Sequence, residues 1–283
     1  MRPMADVLVS PDWLRANLPG ARVLDVRGEV VASEPRYRAY PDRYEAGHIP
    51  GAVFADWRED FTDRSSDVPV TIAPPEVFAA DATRLGIGSG TTVVAYDDYS
   101  NVLAGRIIWA LRSYGHCAAH LLDGGLSAWE RTGGELEQGE NRPEPADPPL
   151  PVPGPVDGLI DLPAMLEAMA AGAQVLDSRK PEEYSGEDSH ARRAGHIPGA
   201  LNVHYKSLLA GDGTFLPPDR LREVLTACGV DLDRDVVAYC NGGVSATAVA
   251  NAVEIVSGRR PRVYDGSWNE WGNRDDTPLD TGR

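Results

Sequence analysis

The chain has 283 residues, 42% of them hydrophobic and 25% charged, with a formal charge of −16 and a pI near 4.7. A surface this negative repels polyanions, which argues against nucleic acid or anionic lipid as a partner, and an anionic small substrate would need a local positive patch. The length favours two domains over one. No segment approaches the ~20 apolar residues that span a bilayer, and the start, MRPMADVLVSPDWL, lacks the apolar core of a secretory signal, so the cytoplasm is the expected location.

Along the chain, the apolar run Val23–Arg27 (VLDVR) reads as a strand, and Tyr44–Val53 (YEAGHIPGAV) as a turn leading to the next one. Thr91–Asp97 (TTVVAYD) is a second short apolar run of strand type, Val102–Gly115 has helical period, and an apolar strand after Cys117 leads into Leu121–Glu130 (LLDGGLSAWE). Residues 139–158 are dense in proline, which disfavours both helix and central strand, so they are expected to form an extended linker. The same series then begins again. VLDSR (Val175–Arg179), RRAGHIPGAL (Arg192–Leu201), RDVVAYC (Arg234–Cys240) and VYDGSWNEWG (Val263–Gly272) repeat the four earlier segments in order and at nearly the same separations. Short apolar runs alternating with helix-period stretches predict parallel strands with crossover helices in each copy. The expected ranges are a first domain over 1–138, a linker over 139–158 and a second domain over 159–283.

The copies differ most where the strand Asp235–Tyr239 ends. There the second copy has Cys240 followed by Asn241, Gly242, Gly243, Val244, Ser245 and Ala246, and a helix is expected from about Ser245; the first copy has Asp97 and continues DYSNVLAG. In open parallel sheets, ligands sit beyond the carboxyl ends of the strands. A thiol at that point faces the first-turn amides of a helix, which favour the thiolate, the nucleophilic form. Gly242 and Gly243 let the backbone curl so that N–H groups converge on negative charge. Ser245 has two readings of equal weight, as the helix N-cap or as a hydrogen-bond donor to a bound sulfur. The other cysteines, Cys117 and Cys228, read as packing residues, and three scattered cysteines make neither a disulfide framework nor a zinc site. His48 and His196 occur in both GHIPGA turns, including the copy without the cysteine, which points to a structural role. Asp25 with Arg27 and Asp177 with Arg179 read as loop braces, and Glu182 with Glu183 as a solvated face.

With GHIPGA twice, DVR and DSR at strand ends, the cysteine loop and YDGSWNEW near the end, the chain resembles the tandem-domain rhodanese family, which includes thiosulfate and 3-mercaptopyruvate sulfurtransferases. The resemblance implies an α/β fold of two tandem rhodanese-like domains, each a parallel sheet with helices on both faces, of which the first is non-catalytic. It implies a sulfane sulfur carried as a persulfide on Cys240 from a small-molecule donor to cyanide or a thiol, with residues 241–246 as the cradle and no metal or organic cofactor. An uncharged loop resembles the mercaptopyruvate type. The family's donor-binding arginine, six residues after the strand-end aspartate, corresponds here to Glu183, which leaves Arg179, Arg192 and Arg193 as the candidate substrate-binding cations. Two alternatives are a persulfide relay or binding module serving a protein partner and, more remotely, a phosphatase or arsenate reductase of the same fold. The latter needs an arginine six positions after the cysteine, where this chain has Ala246.

Overall fold

The computed structural model describes residues 7–154 and 157–282. Residues 1–6, 155–156 and 283 lie outside the described residues, and with them the outer ends of both expected domain ranges and two positions of the proline-rich stretch. Two compact units divide the chain. One comprises Met1–Ser65, Ile72–Val156 and Gly211–Thr214, the other Ser66–Thr71, Asp157–Ala210 and Phe215–Arg283.

Each unit is built on a five-stranded sheet in which every pairing is parallel. Across the first sheet the order is Val53–Phe54, Ala21–Asp25, Thr92–Tyr96, Ala119–Leu122, Leu8–Val9. Across the second it is Leu201–Asn202, Gln174–Asp177, Val236–Tyr239, Arg262–Tyr264, Leu159–Ile160. The two orders match element for element, so the repeat in sequence is a repeat in structure. An antiparallel pair in the first unit, Gly28–Val30 with Tyr37–Ala39, has no counterpart among the described strands of the second.

The strands are apolar on both faces because helices cover both, as parallel sheets require. In the second unit Leu162, Met165, Val175, Ile197, Val237, Tyr239, Tyr264, Trp268 and Trp271 form one buried cluster; Val9, Leu14, Val23, Ile49, Val94, Tyr96, Leu122 and Trp129 form its counterpart in the first. Trp268 and Trp271 are fully buried. The helix Val102–Ser113 is buried along its whole length and so has no solvated stripe. Residues 139–154 contain neither helix nor strand, and hydrogen bonds from Ala146 and Leu150 to Thr83 lay them along the first unit.

Register explains the paired motifs. Asp25 lies beside Tyr96 and Asp177 beside Tyr239 on adjacent strands, and in both copies the phenol donates to the carboxylate at 2.5 Å. The arginine two residues on folds back in a bidentate pair, Arg27 on Asp25 and Arg179 on Asp177, and reaches the carbonyl of Gly47 or Gly195 in the GHIPGA turn. The histidine of that turn stacks on a tyrosine, His48 on Tyr44 and His196 on Tyr184, and bonds that tyrosine's carbonyl at 2.8 Å through Nδ1. Both histidines therefore order the turn in each copy.

Candidate active site

The strand Val236–Tyr239 ends at Cys240, which is buried, and the helix Ala246–Ser257 begins six residues later with Ser245 as its N-cap residue. Gly243 takes φ +68°, the left-handed conformation that turns the loop back toward the helix. The short helix Ser267–Trp271 holds the loop from behind. Cys240 N–H and Gly243 N–H both donate to Ser267 Oγ, at 3.1 and 3.0 Å, and that hydroxyl donates to the Tyr264 carbonyl at 2.8 Å. The Trp268 and Asn269 amides in turn donate to the carbonyls of Cys240 and Asn241, at 2.9 and 2.7 Å.

The first copy shows what such a loop can hold. Residues 97–104 align with 240–247 without a gap, and Ser100 at φ +60° matches Gly243. The Asp97 carboxylate, itself buried, accepts four backbone hydrogen bonds: Tyr99 and Asn101 donate to Oδ1 at 2.8 and 2.9 Å, and Leu103 and Ala104 donate to Oδ2, both at 2.9 Å. This is a nest for a side-chain anion, and here the chain's own carboxylate occupies it. Burial nevertheless pushes the Asp97 carboxyl up to about 6, against the opposite pull of the amides of Ala104, Tyr99 and Asn101. An acid held above its unfolded value of 3.8 binds more protons folded than unfolded between the two, so its contribution to stability falls as pH rises from about 4 to about 6. Asp60, also pushed up to about 6 by burial, acts in the same direction. Asp97→Ser should flatten the pH dependence of urea unfolding in that window; an unchanged slope would count against the assignment.

The candidate residues are distributed as follows. Gly242, Gly243, Val244 and Ala246 are buried, and Asn241 and Ser245 half-buried, around Cys240. Ser245 Oγ makes no N-cap hydrogen bond and instead meets Ser178 Oγ at 2.9 Å, so capping does not account for its hydroxyl. Arg179 is buried against Asp177, with its guanidinium 4.5 Å above the Trp268 ring. Burial works against its charge, but Asp177 more than compensates and holds the guanidinium above the usual arginine value. Arg192 is exposed and pairs with Asp275 at 2.6 Å, and the Arg193 guanidinium donates to the carbonyls of Trp271 and Thr277, both at 2.8 Å. These partners draw both side chains toward residues 271–277.

Glu183 departs from the expected solvated face. It is only 6% exposed, and its Oε1 accepts a hydrogen bond from Asn241 Nδ2 at 2.7 Å, with His190 Nε2 3.9 Å away. The one-turn helix Pro181–Ser185 points its third side chain at the cysteine loop, a direction that five residues of sequence do not reveal. Ser178 and Ser267 thus join the loop although sequence reading missed them, and Glu183, which the resemblance set at the donor-binding arginine's position, joins it through Asn241. The cysteines are all free thiols, with Cys117 exposed, Cys228 half-buried and Cys240 buried. Among the described residues no group of three His, Cys, Asp or Glu side chains is placed to hold a metal ion, and no helix is long and apolar enough to cross a membrane.

Comparison with known proteins agrees with the repeat. The model of the rhodanese-like domain matches residues 10–132 and again 162–274. The 3-mercaptopyruvate sulfurtransferase of Escherichia coli is 33% identical over 278 residues, covering 96% of this chain and 97% of that protein. The sulfur carrier protein TtuD of Thermus thermophilus is 33% identical over 298 residues, covering 98% of this chain and 97% of that protein. The crystal structure of SseA from Escherichia coli superposes with a TM-score of 0.81 at 30% identity, covering 93% of this chain and 99% of that one. Two copies of one sheet order, two matches to one domain model and relatives similar over nearly their full lengths converge on one conclusion: the chain belongs to the rhodanese family of sulfurtransferases.

Proposed function

We propose that Cys240 carries a sulfane sulfur as a persulfide between a small anionic donor and a thiol or cyanide acceptor. The supporting observation is the cradle of the first copy. Counting bonds from Cβ, the outer sulfur of Cβ–Sγ–S lies as far along the side chain as the oxygens of Cβ–Cγ–Oδ. A persulfide on Cys240 would therefore put its charged atom where Asp97 puts its carboxylate oxygens, among amides that hold an anion without a basic side chain.

In the transfer, the Cys240 thiolate attacks the donor's terminal sulfur. With thiosulfate the S–S bond breaks and sulfite leaves; with 3-mercaptopyruvate the C–S bond breaks and the thiol proton ends on the departing carbon, giving pyruvate. An acceptor thiolate or cyanide then attacks the outer sulfur, and the Cys240 thiolate is the leaving group. Residues 241–246 form the cradle, and Arg179, through the Asp177 brace, acts on the site indirectly. Arg192 and Arg193 remain candidate donor contacts only if they exchange their partners near residues 271–277. In this division of labour residues 1–138 form a non-catalytic rhodanese-like domain whose cradle is filled by Asp97, residues 139–158 link, and residues 159–283 form the catalytic domain.

Mass spectrometry tests the scheme: incubation with either donor should add about 32 Da to Cys240, and cyanide should remove it. Absence of the adduct with both donors would refute small-molecule sulfur transfer. We read 3-mercaptopyruvate as the better donor, because the loop is uncharged, the Escherichia coli relative bears that name, and the buried Glu183 beside the loop repels the thiosulfate dianion more than a monoanion. Glu183→Gln, which can still accept from Asn241, should then raise kcat/KM for thiosulfate about fivefold or more and for 3-mercaptopyruvate by less; equal or absent gains would contradict this role for Glu183. A second reading, delivery of the sulfur to a protein acceptor, draws on the Thermus relative named a sulfur carrier protein and would show as transfer of labelled sulfur from Cys240 to a partner's thiol.

A further inference from the structure

We infer that Ser267 is a positioning residue for sulfur transfer, acting through the backbone of the cysteine loop; this rests on the reading of Cys240 as the sulfur carrier. A hydroxyl has one hydrogen and two lone pairs, and all three are used here. The hydrogen goes to the Tyr264 carbonyl, and the lone pairs take the N–H groups of Cys240 and Gly243. Binding these two amides to one oxygen fixes their separation and so the curl of the turn between them. The turn is thereby pinned at Gly243, the position whose first-copy counterpart, Ser100, is likewise left-handed.

Two further features separate this role from ordinary packing. Ser267 is fully buried at φ +50°, a conformation that favours glycine, and the matching residue of the first copy is Gly125 at φ +57°. A glycine would adopt this backbone without strain, so what serine adds at Ser267 is its hydroxyl. The first copy has no room for one, since a Cβ on Gly125 would lie 2.2 Å from the Asp97 carbonyl oxygen. The hydroxyl therefore accompanies the cysteine, and the shared fold is made without it.

Ser267→Gly relieves the strained conformation and removes the oxygen; Ser267→Ala removes the oxygen alone. With 3-mercaptopyruvate as donor and cyanide as acceptor, both variants should lose about ten- to a hundredfold in kcat while KM for the donor stays within about twofold. Iodoacetamide should alkylate Cys240 more slowly in both at fixed pH, and Ser267→Gly should melt within a few degrees of the parent. In the unmodified protein the amides of Cys240 and Gly243 should be strongly protected from hydrogen exchange. Wild-type kcat and alkylation rate in a folded variant would overturn the assignment, as would rapid exchange of those two amides. Alkylation and exchange need no sulfur donor, so they judge Ser267 even if no persulfide forms on Cys240, a result that would instead refute the proposed reaction.

Discussion

Cys240→Ser should lose at least about a thousandfold in sulfur transfer from either donor, leave no about 32 Da adduct on the protein, and melt within a few degrees of the parent. The size of the loss follows from the role. A hydroxyl at this position is a far weaker nucleophile at neutral pH than a thiol, and the oxygen analogue of a persulfide is not formed by attack on a sulfane sulfur. The small effect on stability follows because the loop is held through backbone atoms, by Ser267 Oγ and by the amides of Trp268 and Asn269, none of which the substitution touches. Cys117→Ser and Cys228→Ser are the controls and should retain full activity. Transfer surviving in Cys240→Ser would move the nucleophile elsewhere in the chain.

The largest loss of stability is expected from Asp177→Ala. The carboxylate is fully buried, accepts the Arg179 backbone N–H at 2.9 Å and its guanidinium at 2.5 Å, and takes the Tyr239 hydroxyl at 2.5 Å. Its removal strands an arginine that is only 2% exposed. Breaking a buried pair in this way costs about 3–5 kcal/mol, because the remaining cation has neither water nor a counter-ion. Over a domain of this size the thermal midpoint should fall by roughly 10 °C or more. Removing both charges, as in Asp177→Leu with Arg179→Met, should cost less than Asp177→Ala alone, since no uncompensated charge is left inside. Asp25→Ala should destabilise the first unit for the same reason, as Arg27 and Tyr96 converge on Asp25 there. A loss below about 1 kcal/mol for Asp177→Ala, measured by urea unfolding, would show that water reaches the arginine once the carboxylate is gone.

Both predictions start from residues that stand out in the chain. Asp177 and Arg179 recur as Asp25 and Arg27, and Cys240 is conspicuous because a copy of its own loop carries Asp97 in its place. The duplication, the parallel α/β class and the strand, loop and helix around Cys240 were legible because each is written in local pattern: apolar runs of strand length, helical period, glycines at the turn. Ser267 and Ser178 were not legible as parts of the site, and Glu183 was placed there only by the resemblance. Ser267 meets the cysteine loop 24 and 27 residues away in sequence, and Ser178 meets Ser245 across 67 residues. The burial of Glu183 and its contact with Asn241, 58 residues away, appear only once its one-turn helix is oriented against the loop.

The expectation that Ser245 would cap the helix or hold a sulfur left out Ser178, which comes from the end of the neighbouring strand. Strand order brings Asp177 beside Tyr239, and therefore Ser178 beside the loop that follows Cys240. Periodicity and turn chemistry are properties of neighbours along the chain, so spacing suffices to give the elements and to single out the loop that carries Cys240. The partners that hold the Cys240 loop are chosen by closing stretches of tens of residues over a sheet, and that closure leaves no period in the sequence.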